Sequence, residues 1–295
     1  MATLLAGASG GCSSGESGLV LGRPLQDGRG GLSGAGAGGG SVASGGTVAA
    51  LGGEPGAPDA GAPSALPEAG GAGGDTGDTT DPPWVGERCT PTVEYSVHDT
   101  TPQGDLFKNA IPMPARVLWQ AAHAACRLLY RDGSEVPDIT TITLIVEDAP
   151  GIASTSGTTI KLSTPYLKQQ SDAGVDLTQE ITGILHFATS LVYQNHGSSG
   201  DSGAPSWLVV GISDYVRLES GYIDRATRMK GGTYNGGSSQ STAFFLDYLA
   251  TKDADIVYEL NRELSPTSPA WSNDVFVKLL GSDVDTLWTE YQSTL

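Results

Sequence analysis

Three short stretches in the middle of the chain carry the side-chain pattern of strands. Residues 139–146 are rich in β-branched side chains and read as a strand. Residues 158–163 alternate apolar with polar and predict a second, half-exposed strand; residues 92–97 predict a third. Residues 114–130 change period: Val117, Leu118, Ala121, Ala125, Leu128 and Leu129 fall on one side of a helix. After residue 175 the pattern is helical. Asp176 with Gln179 has the form of a capping box, and Ile181, Ile184, Leu185, Ala188, Leu191 and Val192 recur at helix spacing. A second helix over 207–220 ends at Gly221, as left-handed C-terminal caps do. Residues 239–251, 254–264 and 273–280 predict three more, and Ser282 with Asp285 predicts the cap of a last helix through Tyr291. The Gly-rich 223–238 reads as a long loop. Strands first and helices after is an α+β order.

Composition divides the chain. The first 88 residues are mainly Gly, Ala, Ser, Pro and Asp with few large apolar groups. Such a segment buries too little surface to offset its ordering entropy, so 13–88 reads as a disordered linker. Residues 89–295 are enough for one domain with a sizeable core. Net charge is −17. The first 88 residues hold three basic and nine acidic groups, a net of −6, which leaves −11 on the domain. An acidic surface repels phosphate, so nucleic acid and anionic lipid surfaces are poor partners.

Residues 1–12, MATLLAGASGGC, are a short apolar run with small residues before Cys12. This is the weak outline of a lipoprotein-type signal, lacking an early Lys or Arg and carrying Ser9 where Leu is usual. It predicts an exported protein, secreted or on the cell envelope, with Cys12 as the lipidation site; an ordinary N-terminus is the alternative. As a Gly-rich coil, 13–88 would then span about 45–50 Å and hold the domain clear of a surface. No stretch is apolar enough to cross a bilayer, so a lipid anchor is the one route to a membrane. In an exported protein Cys89 and Cys126 are available as a disulfide, or remain two unpaired thiols.

The segments Gly183-Ile184-Leu185-His186-Phe187-Ala188-Thr189-Ser190-Leu191-Val192-Tyr193-Gln194 and Val210-Gly211-Ile212-Ser213-Asp214-Tyr215-Val216-Arg217-Leu218 resemble the plant basic secretory protein family. Members have a zincin-like metallopeptidase fold, and these segments read G-[IV]-L-Y-H-E-x-T-H-x-x-Q and E-G-I-A-D-Y-V-R-L there. The resemblance continues through Thr242-Ala243-Phe244-Phe245-Leu246-Asp247-Tyr248, through Glu259-Leu260-Asn261, and through 276–291. It covers about 92–292. It implies an active-site-type helix, a C-terminal helical part and a small, mostly antiparallel N-terminal sheet.

The chemistry of that family needs two His four apart on a helix to hold Zn²⁺, a Glu beside the first as general base, and a third ligand from a following helix. Aligned without gaps, the His positions hold Phe187 and Leu191, the general-base position holds Ala188, and the Glu of the second helix becomes Val210. Slipping the register so that His186 leads puts Phe187 at the base and Ser190 at the second ligand. The expectation is therefore a degenerate site with zinc lost, no cofactor and no catalytic residue, and a former metal site filled with apolar core. Asp214 and Arg217 read either as a surface ion pair or as relics from behind the site. His186 reads as a lone helix His with one hydrogen bond, or as a metal ligand beside a neighbouring carboxylate. His98, His123 and His196 show no ligand spacing. Asp201 sits in a Gly/Ser loop where a calcium ion is conceivable. Trp207, Tyr215, Tyr222 and Tyr234 line a groove or pack in the core. If 158–163 is an edge strand, a peptide could add to it without being cut.

Three functions follow. The first is a non-catalytic module, leaning away from an enzyme, that binds peptide or cell-wall material. The second is an active zinc-dependent peptidase with a non-standard site. The third is a structural relic without ligand.

Overall fold

The computed structural model describes residues 81–196 and 204–295, with the backbone of Leu19–Val20. The reading of 1–12, Cys12 included, most of 13–88, and the Asp201 loop lie outside the described residues.

The elements run β1 (Leu19–Val20), α1 (Pro83–Arg88), β2 (Thr92–Val97), α2 (Pro102–Ala110), α3 (Pro114–Leu129), β3 (Thr141–Glu147), β4 (Ala153–Ser156), β5 (Thr159–Ser163) and α4 (Thr164–Asp172). Then come α5 (Leu177–Tyr193), α6 (Ser206–Glu219), a 3₁₀ turn at Arg225–Thr227, α7 (Ser239–Ala250), α8 (Ile256–Glu263), α9 (Asp274–Leu280) and α10 (Val284–Ser293). The class is α+β, with the zincin-like order of a small sheet followed by helices. The linker expectation ran too far: Pro83–Arg88 is helical, with Val85 fully buried.

The sheet order is β1-β4-β5-β3-β2. β2, β3 and β5 are parallel, and β4 runs against β5 and β1. The expected mostly antiparallel sheet is thus corrected to a mostly parallel one. The cause lies in the connection between β2 and β3, which α2 and α3 fill; a helical crossover returns the chain in the same direction. β5 lies between β3 and β4, so 158–163 is an interior strand and not the edge one. β3 alternates outward with buried Ile142, Leu144 and Val146.

Helix starts follow their caps. Asp176 accepts from the backbone N–H of Thr178 and Gln179 at the start of α5, and Pro114 opens α3. The last helix is capped by Asp283, which accepts from Thr286 N–H, and not by Ser282. Two helices without a sequence forecast, α2 and α4, begin with Thr101 or Ser163 as cap and a Pro in the first turn. Gly281 takes φ 72° to end α9, a value glycine adopts without strain.

α5 packs against α3, α6 and β4. From Ile181 to Tyr193 every residue of α5 is buried. The helix is thus central to the domain, and it carries Thr182, His186, Thr189 and Ser190 inside along with its apolar residues. Cys89 and Cys126 form a disulfide, Cα–Cα 6.6 Å, that ties the end of α1 to α3.

Candidate functional site

The site is built on α5 and the first turns of α6. Phe187 and Leu191, four apart on α5, are 1% and 4% exposed and pack with Val209 of α6. Ala204 and the half-buried Val210 close this cluster, which is separate from the main core. Ala188 does not join it: one residue further round the helix, it faces the main core. None of Phe187, Ala188, Leu191 and Val210 carries a side-chain donor atom, so the zinc that the resemblance implies does not fit these residues. Among the described residues there is no group of three His, Cys, Asp or Glu side chains placed to hold a metal.

Each nearby imidazole has its own partner. His186 Nδ1 lies 2.9 Å from the carbonyl of Thr182, and its ring stands 4.6 Å from that of Tyr222. Burial holds its pKa down at about 4, with Arg127 and Arg217 adding to the effect. His186 is therefore neutral at ordinary pH. His196 Nε2 meets the carbonyl of Leu191 at 2.7 Å. His98 faces Ser96 and Glu147 on the surface.

His123 makes a pattern that resembles a nucleophile–base–acid chain. Its Nε2 is 3.1 Å from Thr90 Oγ1 and its Nδ1 is 3.3 Å from Asp81, which also accepts from Arg127 at 2.6 Å. The hydroxyl proton of Thr90 is directed elsewhere, to the carbonyl of Gly86 at 2.9 Å. The group thus cross-links Asp81, the end of α1 and α3, and presents no activated hydroxyl.

Asp214 and Arg217 are not a surface pair. Asp214 is 2% exposed. Arg217 reaches Asp214 at 3.7 Å and Glu180 at 3.6 Å, and Glu180 accepts from the hydroxyl of Tyr166. The guanidinium lies over Gly183, where a Cβ would stand 2.9 Å from Nε. A glycine in α5 is therefore what lets Arg217 join α4, α5 and α6. Burial raises the Asp214 carboxyl pKa, against the opposing pull of Arg217.

Sequence reasoning passed over the groups that hold the end of α5. Gln194 donates to the carbonyl of Val209 at 3.0 Å and accepts from Ser213 at 3.3 Å. Asn261 receives the N–H of Asn195 at 2.9 Å and donates to the carbonyl of Leu129 at 3.1 Å. Both stand in the segments that carried the family resemblance, which was the available signal. The aromatics do not make a groove: Trp207 and Tyr234 pack at 5.0 Å within a cluster that includes Phe245, Phe276 and Trp288, and Tyr215 is buried.

An open cleft lies beside this site. It has a volume of about 330 Å³ and runs between the β4–β5 turn, Thr155 to Thr158, and Leu191, Val192 and His196 at the end of α5. Leu191 is shared, lining the cleft on one side and packing on Phe187 on the other.

A family model, BSP, described as "Peptidase of plants and bacteria", matches residues 90–291. No curated protein and no solved structure gives a significant match.

Proposed function

The chain belongs to the BSP family of peptidases of plants and bacteria, and from that premise we propose that it is a member without hydrolytic activity that binds an extended peptide. The observation that carries this reading is the apolar cluster of Phe187, Leu191 and Val209; the ungapped alignment assigns Phe187 and Leu191 to the two zinc-binding His of the family pattern. A Lewis-acid peptidase needs imidazoles there and a carboxylate at Ala188. Restoring that carboxylate would place it in the main core, where an unpaired charge is costly. Phe and Leu fill the space with no need of hydrogen-bond partners, each stabilising by about 1.5–3 kcal/mol when buried.

Binding is supported by the cleft and by β4. This strand, Ala-Ser-Thr-Ser, has only the two residues of β1 on its outer side and carries no charge and no proline, the usual means by which an outer strand discourages pairing. A peptide adding to it would run along the cleft above Leu191 and be held by backbone hydrogen bonds. The Cys89–Cys126 disulfide fits export to an oxidising compartment, and Cys12 is the residue that would carry a lipid anchor.

The test is metal content together with proteolysis. The purified, oxidised chain should hold no stoichiometric zinc and leave casein intact. Stoichiometric zinc with chelator-sensitive casein cleavage would overturn the reading in favour of an active peptidase. As a counterpart, the variant Phe187→His, Ala188→Glu, Leu191→His, Val210→Glu should gain zinc if it stays folded by circular dichroism. A folded quadruple variant that takes up none would remove the alignment on which the reading stands.

A further inference from the structure

The edge of β4 is already partly taken. Leu19 pairs with Thr155 and Val20 with Ser154, antiparallel, so residues from the N-terminal segment extend the sheet beyond β4. Without them β4 would present unpaired N–H and C=O groups beside the cleft. The sequence marks the same place independently. Leu19-Val20-Leu21 is the one run of three consecutive large aliphatic residues between 13 and 80, and it is flanked by Gly18 and Gly22. Large aliphatic and β-branched residues suit a strand, and the following Arg23-Pro24 limits its length because Pro has no N–H to donate.

We infer that Leu19–Val20 is the resident ligand of the β4 edge, an intramolecular strand that competes with any external peptide for this surface. The inference rests on the reading of the β4 edge as a peptide-binding surface. A segment on the same chain acts at an effective concentration on the order of millimolar, so a free peptide must out-compete it. The ligand it excludes is an extended, uncharged peptide of similar aliphatic character, recognised through its backbone and not through a side-chain motif.

The test uses the full chain and the variant Leu19→Pro, Val20→Pro. Successive N–H groups of a strand point to opposite sides, so replacing both residues removes whichever donor faces β4. Both lie outside residues 89–295, and thermal unfolding of the variant checks that the domain is intact. Two readouts follow: hydrogen exchange of the Ser154 to Ser156 amides, and titration with the end-blocked synthetic peptide Ser-Gly-Leu-Val-Leu-Gly. The β4 amides should exchange faster in the variant, and the peptide should bind the variant at least about tenfold more tightly than the parent chain. Equal exchange in the two chains overturns the inference, as does measurable peptide binding of equal affinity to both. If the amides lose protection in the variant and the peptide binds neither chain, the resident strand stands and the peptide-binding reading fails.

Discussion

His186 sets a pH dependence that a surface histidine would not. Its pKa falls from 6.5 to about 4 in the folded chain because burial penalises the charged ring. A group that resists protonation only when folded stabilises fully above its unfolded pKa and loses that contribution as pH falls toward the folded value. The window is therefore pH 6.5 to 4, and the loss is on the order of 3 kcal/mol. Asp214 works in the opposite sense. Its raised carboxyl pKa is a cost at neutral pH that eases as pH falls. Replacing His186 with Leu should flatten the acid limb of stability in urea titrations between pH 6.5 and 4; an unchanged limb would mean that the ring is not held neutral. At this scale the sequence was legible where spacing and register agree, as for Phe187, Leu191 and Val210. It misled for Asp214 and Arg217, because a three-residue spacing cannot tell an exposed pair from one covered by α4 and α5. It misplaced Ala188, which was expected to fill the former metal site with Phe187 and instead joins the main core, because that depends on how α5 is turned against its neighbours.

Among the elements, α6 and α7 pack closely at Gly211. A Cβ there would stand 2.2 Å from Thr242 Cγ2 and 2.7 Å from its Cβ, far inside contact distance. Gly211→Ala should therefore cost about 1–3 kcal/mol through overpacking, despite the higher helix propensity of Ala. Chemical denaturation measures it, and a variant as stable as the parent would show that the two helices can separate without loss. Long helices such as α3 and α5 could be read because their apolar spacing repeats over several turns. The sheet could not be read as well. Its direction depends on what connects the strands, and α2, which fills much of the β2–β3 connection, has only Leu106 and Phe107 as large apolar residues. The alternation of β5 reports one exposed face and says nothing of which strands lie on either side, so it could not test whether 158–163 is the edge strand that the family resemblance suggested.

For the molecule as a whole, the disulfide stands where the long N-terminal segment meets the domain. It spans 37 residues of sequence, and constraining a loop of that length in the unfolded chain is worth about 4 kcal/mol in the chain-entropy account. Cys89→Ser with Cys126→Ser should lower stability by roughly 2–4 kcal/mol, measured by denaturant titration. It should also loosen α1, whose Val85 is buried in the core. An unaffected midpoint would mean that the packing of Val85 alone holds that end. The two residues of β1 bear on a different quantity, the reach of the domain. Counted from Cys12 to Val85, the first buried residue of α1, the sequence is 73 residues, at most about 250 Å of contour. Counted from Cys12 to Leu19 it is seven residues, at most about 25 Å. If Cys12 carries a lipid, docking of β1 would limit the cleft to the shorter distance from the membrane, and release of β1 would permit the longer one. Occupancy of the β4 edge would then set how far from the cell surface the domain can search.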